Sequence, residues 1–272
     1  MENTRGRVII AGAGPGDPDL ISVKALNYLK IADVILTDRL VSPVLIEENV
    51  KKNALVIYVG KQCSRGIHTP QSEINELLVD FAKCGKLVLR LKGGDASLFS
   101  NILDELEILL KNNIDYEIIP GISAAFGAAA YSAIPLTARG HSRAVRFLTL
   151  YDTDSISKHE WQDWAKTDDT LVFYMSGKKL SDMVHNLLQN NIALDKGLAI
   201  IQQTTTPNQK TSVFKFNYLI NTILPEFEFV PTLIIIGNVV KLHQKFGWVK
   251  ESNTFHSYFD NHLNDIENVI RN

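Results

Sequence analysis

The feature that most constrains this chain is a rhythm. Through its first half, short β-branched runs alternate with longer stretches of helical period. Arg7–Ala11, Val34–Thr37, Leu55–Val59, Leu87–Leu91 and Tyr116–Ile119 have strand length and composition, and Ser22–Lys30, Gln71–Cys84 and Asp104–Asn112 read as helices between them. Crossovers of that length imply parallel pairing, so the fold class is α/β. The second helix is the best punctuated: Thr69 is placed to cap it, Pro70 suits its first position and Gly85 its end.

Pro120 and Gly121 interrupt the chain near its midpoint, and an Ala/Gly-rich segment follows through Ser132, suited to a closely packed helix. The strand pattern restarts at Val145–Leu150, Leu171–Tyr174, Leu198–Ile201, Ser212–Phe216 and Leu233–Ile236, the last two spaced as antiparallel neighbours. A length of 272 residues accommodates two domains. The expected division is 1–121 and 122–245, with a mostly parallel sheet in the first and a mixed sheet in the second. Residues 246–272 carry Phe255, Tyr258, Phe259, Leu263, Ile266 and Ile270 at three- and four-residue steps, the stripe of an amphipathic tail helix.

Composition excludes several classes. With 28 Lys+Arg against 30 Asp+Glu, the net charge of −2 gives no whole-protein field for nucleic acid or an anionic membrane. No stretch is apolar for long enough to cross a bilayer, and the N-terminus lacks the pattern of a signal peptide. Cys63 and Cys84 form neither a disulfide framework nor a metal-ligand spacing, and His141 has no ligand spacing with another histidine. The expectation is a cytoplasmic chain without metal.

The chemistry concentrates at strand ends. Gly12-Ala13-Gly14-Pro15-Gly16-Asp17-Pro18 follows the first strand, yet it is not a dinucleotide fingerprint: Asp17 stands where the third glycine belongs, and two prolines remove backbone donors. Lys92-Gly93-Gly94-Asp95 follows the fourth, and taken by itself reads as a turn with Asp95 capping the next helix. Asp38-Arg39 ends the second strand and Gly60-Lys61 the third. In an open parallel sheet these ends converge on one crevice, where ligands bind. Arg139, Arg143 and Arg146 form a local basic cluster, suited to carboxylates or simply to a solvated loop.

Several runs in order now carry a resemblance. Residues 11–18 (AGAGPGDP), 20–26 (LISVKAL), 38–42 (DRLVS), 59–61 (VGK), 70–76 (PQSEINE), 90–95 (RLKGGD), 120–124 (PGISA) and 130–137 (AYSAIPLT) together resemble the tetrapyrrole methylases, within them the group that C-methylates uroporphyrinogen III. The resemblance runs from about Arg7 to Val240. It implies a two-domain α/β enzyme, usually a homodimer, with its active site between the domains. It further implies S-adenosylmethionine bound without a Rossmann fingerprint, with S-adenosylhomocysteine as the product. Carried over by position, the cofactor contacts are Pro15, Gly93, Gly94, Asp95, Leu98, Ser123, Ala124, Met175 and Thr204. Asp38 falls on the proton acceptor and Lys61 on the proton donor. For a polycarboxylate substrate, Arg39, Arg139, Arg143 and Arg146 become the candidate anchors. The product would be precorrin-2, after two successive methylations, on the way to siroheme or cobalamin. A later precorrin is the alternative acceptor, and a cofactor-binding relative without catalysis the alternative class.

The chain departs from that family at the loop after Asp95, where a Pro-Phe-x-Phe-Gly-Arg-Gly-Gly-Glu-Glu run becomes residues 96–105 (ASLFSNILDE). Residues 137–141 (TARGH) and 149–151 (TLY) also differ, and Ser176 looks inserted between Met175 and Gly177.

Overall fold

The computed structural model describes residues 6–59, 61–62, 67–220, 222, 224, 230–250 and 257–259. They divide into two compact units, one running to Ala124 and including Phe259, the other Ala125–Tyr258.

The first unit is built from β1 (Arg7–Gly12), α1 (Val23–Ile31), β2 (Val34–Asp38), α2 (Pro43–Asn49), β3 (Leu55–Val59), the small pair β4 (Lys61–Gln62) and β5 (Ile67–His68), α3 (Gln71–Lys83), β6 (Leu87–Lys92), α4 (Ile102–Lys111) and β7 (Asp115–Ile119). The main sheet has the order β3-β2-β6-β1-β7, parallel throughout. Its strands read as continuous apolar runs because both faces are covered. Val8, Ile10, Val34, Leu36 and Val88 pack with Ile74 and Leu78 of α3 and Leu109 of α4. Ile9, Ala11, Ile35, Leu89 and Leu91 pack on the other face with Leu29 of α1 and Leu45 of α2. One strand thus feeds two cores by simple alternation.

Helix ends follow local chemistry. Ser22 caps α1 by accepting from the Ala25 N–H at 3.3 Å. At α3 the expectation is corrected: Pro70 is itself the capping residue, its carbonyl accepting from the Glu73 and Ile74 N–H groups, and Thr69 supplies no cap. A proline there loses nothing, since its missing N–H would have had no helical partner. Gly85 does close α3, at φ +76°, with its N–H on Ala82 O and that of Lys86 on Phe81 O.

The second unit contains α5 (Ala124–Tyr131), which begins at the division, then β8 (Val145–Thr149), α6 (Lys158–Lys166), β9 (Thr170–Tyr174), α7 (Leu180–Gln189), β10 (Gly197–Gln202), β11 (Lys210–Lys215), α8 (Phe216–Leu219), β12 (Thr232–Gly237) and α9 (His243–Phe246). Its sheet order is β11-β10-β12-β9-β8, with β8 and β9 parallel and the other pairs antiparallel. The last two expected strands are therefore not neighbours. β10 lies between them and pairs with both, from Gly197 to Gln202 on each side. Phe173, Leu187, Leu198, Phe216, Ile234 and Ile236 form the centre of its core, with Trp161 and Trp164 of α6 stacked edge to face beside Phe173.

No helix among the described residues is long and apolar enough to cross a membrane. Of the expected tail helix, Tyr258 and Phe259 are described; Phe255, Leu263, Ile266 and Ile270 lie outside the described residues.

Candidate functional site

Because the first sheet is wholly parallel, Gly12, Asp38, Val59, Lys92 and Ile119 all finish at one edge of it. Backbone contact then locks the loops that leave this edge. The Gly14 N–H donates to Gly94 O at 3.1 Å and the Gly94 N–H returns the bond to Gly14 O at 2.8 Å. Both glycines hold positive φ, +84° and +69°. A Cβ on Gly12 would stand 2.5 Å from Gly94 O, and one on Gly121 only 2.3 Å from the same atom. Three loops thus meet backbone to backbone in a glycine cradle, packed so closely that a side chain at Gly12 or Gly121 would collide with the Gly94 carbonyl. Among the described residues no group of three or more His, Cys, Asp or Glu is placed to hold a metal ion.

Asp17 caps the short 3-10 turn Pro18–Leu20, accepting from the Asp19 N–H at 2.9 Å, so the residue that breaks the dinucleotide fingerprint has its own structural task. Asp95 does not cap α4, whose N-cap is Asn101. It instead accepts from Ser97 Oγ at 2.5 Å, the Ser97 N–H at 2.8 Å and, across the cradle, the Gly121 N–H at 2.8 Å. Burial pushes the Asp95 carboxyl up, but these bonds outweigh it and hold it below its ordinary value. The altered loop keeps its path by placing Phe99 and Asn101 at φ +53° and +52°, left-handed conformations carried here by non-glycine residues.

Asp38 ends β2 with its carboxylate 29% exposed, and Oδ1 receives Arg90 Nη2 at 2.6 Å. Arg90 itself is buried, donating from Nε to Glu105 Oε1 at 2.9 Å and from Nη1 to Leu36 O and Leu91 O. Glu105 Oε1 also takes Lys92 Nζ at 2.9 Å. Burial, reinforced by the neighbouring Arg90 charge, pulls the Lys92 ammonium below its ordinary value in spite of Glu105. Arg90 is held above its own, because Asp38 and Glu105 overcome the penalty of burial. Sequence reading missed this cluster. Its signal was available: Arg90 and Lys92 are two apart on a strand and so share a face, and Glu105 lies one helical turn before the buried Leu109.

The structure gathers Pro15, Gly93, Gly94, Asp95, Ser123 and Asp38 on the first unit's strand-end loops, with Leu98 in the turn that follows and Ala124 at the start of α5. Lys61 opens β4 opposite His68, and its side chain lies outside the described residues. Met175 and Thr204 belong to the second unit. Met175 is half exposed at φ +55° just past β9, where the buried Ser176 closes the turn by donating to Tyr174 O at 2.8 Å. The seemingly inserted serine is thus a strand-end latch. Thr204 is buried, its hydroxyl donating to Gln209 Oε1 at 3.4 Å.

Among the basic candidates, Arg39 follows Asp38 directly. Arg139 and Arg143 are exposed around a tight loop closed by paired Ala138–Ser142 backbone bonds, with Gly140 at φ +78°. Arg146 behaves differently: it donates to Asp169 at 2.6 Å, to Asp163 and to Thr167 Oγ1 at 3.1 Å. These bonds engage three of its five N–H donors within the second unit and leave the side chain 35% exposed.

Residues 7–217 match the family of Tetrapyrrole (Corrin/Porphyrin) Methylases. The chain is 43% identical over 248 residues to the siroheme synthase of Vesicomyosocius okutanii subsp. Calyptogena okutanii (strain HA), covering 91% of this chain and 53% of that one. It therefore spans about half the length of the curated relatives it matches. A uroporphyrin-III C-methyltransferase from Thermus thermophilus, solved with S-adenyl homocysteine, superposes with TM-score 0.71 at 28% identity, covering 87% of this chain and 100% of that one. A cobalt precorrin-4 methyltransferase of cobalamin biosynthesis superposes with TM-score 0.73 at 27% identity, covering 88% and 98%. With its α/β fold of one parallel and one mixed sheet, this chain belongs to the tetrapyrrole methylase family.

Proposed function

We propose that this chain is an S-adenosylmethionine-dependent C-methyltransferase that converts uroporphyrinogen III to precorrin-2 by two successive methylations. The observation that carries the reading is the backbone cradle of Gly12, Gly14, Gly94 and Gly121 at the same sheet edge as the Asp38 carboxylate. Loops locked together through their main chain at this edge are suited to hold a ligand by main-chain contacts, and the relatives' names supply the chemistry. When bound, S-adenosylmethionine supplies an electrophilic sulfonium methyl. Gly93 and Gly94 let the main chain approach it, and Ser123 and Ala124 would join them from the loop after β7.

The acceptor is an electron-rich pyrrole carbon, and methylation leaves its ring cationic. Asp38, a partly exposed carboxylate braced by a buried arginine, is suited to stabilise that cation and then to accept the proton whose loss restores the neutral ring. Lys61 is assigned the complementary proton donor. Arg39, Arg139 and Arg143 supply guanidinium groups for the substrate carboxylates, Arg139 and Arg143 from exposed positions.

A second reading, methylation of a later precorrin, is favoured by the substituted loop at 96–104 and by the likeness to the precorrin-4 enzyme. One experiment separates the two. The protein is mixed anaerobically with uroporphyrinogen III and methyl-labelled S-adenosylmethionine, and methyl groups on the tetrapyrrole are counted by mass. Two added methyls support the first reading. No transfer, with S-adenosylhomocysteine still binding, sends the acceptor to the second.

A further inference from the structure

The four ionisable groups Lys92, Glu105, Arg90 and Asp38 form a chain in space that runs from the interior to the sheet edge. The side chains of Lys92, Arg90 and Glu105 are 3%, 3% and 0% exposed, whereas Asp38 is 29% exposed. Stability alone gives little reason for such a cluster, because withdrawing charges from water offsets most of their attraction and apolar residues of similar volume do as well. Glu105 Oε2, moreover, has no hydrogen-bond partner among the described residues. What the cluster does supply is direction. The Arg90 guanidinium is fixed on every side: Nε on Glu105, Nη1 on two backbone carbonyls, Nη2 on Asp38. A planar fork pinned in this way can present its remaining donor along one line only.

We propose that Arg90 is the positioning residue for Asp38, and that Glu105, tied down by Lys92, is what holds Arg90 in register. The inference rests on the assignment of Asp38 to proton transfer given above. Arg90 grips Oδ1 and leaves Oδ2 without a partner among the described residues, so one oxygen sets the carboxylate's orientation while the other faces the acceptor. Arg90 touches neither substrate nor cofactor in this scheme and acts through Asp38 alone.

The test is a double-mutant comparison. Arg90→Lys keeps the charge but cannot reach Glu105 and Asp38 together. In the native background kcat for methyl transfer to uroporphyrinogen III falls ~100-fold, the loss expected from a misplacement of about 1 Å, with KM and S-adenosylhomocysteine affinity unchanged. In an Asp38→Asn background the same substitution has no further effect, since the group it positions is already gone. Equal losses in both backgrounds, or no loss in either, overturn the proposal. Should Arg90→Lys fail to fold, Glu105→Gln, which keeps the shape and removes the anion, is compared in the same two backgrounds with the same criteria. If the unmodified protein transfers no methyl to uroporphyrinogen III, it is the functional reading that has failed. The positioning claim is then decided by crystal structures of the native protein and the folded variant: an Asp38 carboxylate that turns supports it, and one that stays put overturns it.

Discussion

Two arginines, each on a β-strand and each between two carboxylates, end up with opposite roles. Arg90 sits in the middle of the first sheet, 3% exposed, and its partners lead toward the strand-end edge. Arg146 sits on β8 at the border of the second sheet, 35% exposed, and its partners Asp163 and Asp169 flank the end of α6. Residue type and the number of carboxylate partners are alike, so burial and the direction of the chain of contacts make the difference. In water an ion pair competes with solvent and is worth little; in the interior each charge depends on its partner.

The sharpest way to break this contrast is to remove one anion from each cluster. Glu105→Ala leaves Arg90 and Lys92 short of a counter-charge in the core, and denaturant unfolding is expected to show a loss of about 3–5 kcal/mol. Asp163→Ala, measured alongside, is expected to lose less than about 1 kcal/mol. Similar losses would erase the distinction.

Next in size is Gly121→Ala. Its methyl group would collide with the Gly94 carbonyl, a backbone atom that cannot swing aside. Overpacking of this kind costs roughly 1–3 kcal/mol, and S-adenosylhomocysteine affinity, read by calorimetry, should fall with it. An affinity that survives would show that the cradle tolerates displacement.

Acid titration sharpens the comparison further. The folded Asp95 carboxyl lies below its ordinary value, so its contribution is fully present above the unfolded carboxyl's pKa of about 4 and is lost as pH falls through the folded value. The stability difference between native protein and Asp95→Asn should therefore be largest at neutral pH and shrink below pH ~4, and a pH-independent difference would contradict it. The smallest effect is expected for Arg146→Met: less than about 1 kcal/mol, diminished by salt, with no change in tetrapyrrole affinity.

The parallel half of the molecule was legible because its short apolar strands alternate with helices of clear period, and pairing follows from the crossover helices. The second half misled at β11 and β12. Both strands are locally clear, but nothing in their residues says that β10 will lie between them. In the site, the glycine runs and Asp38 could be read from their positions after strands. The buried charges could not, because Arg90 and Lys92 in an apolar strand look like edge residues until Glu105, on a different element, is brought against them. The ion pairs of Arg146 were hidden for a similar reason: a basic run in sequence carries no record of Asp163 and Asp169 beside it.

The reciprocal bond between Gly14 and Gly94 has a consequence in time as well as in space. β1 is flanked by β6 and β7, so the strand of this sheet that is made first has no native neighbour until Leu87–Lys92 and Asp115–Ile119 have been made. Its glycine loop cannot take its final shape before Gly94 arrives to exchange hydrogen bonds with it. Such non-local closure is slow compared with forming any of the intervening helices. Within this sheet the strand synthesised first is therefore among the last to be finished, and an early-emerging apolar strand must wait, unpaired, for its partners.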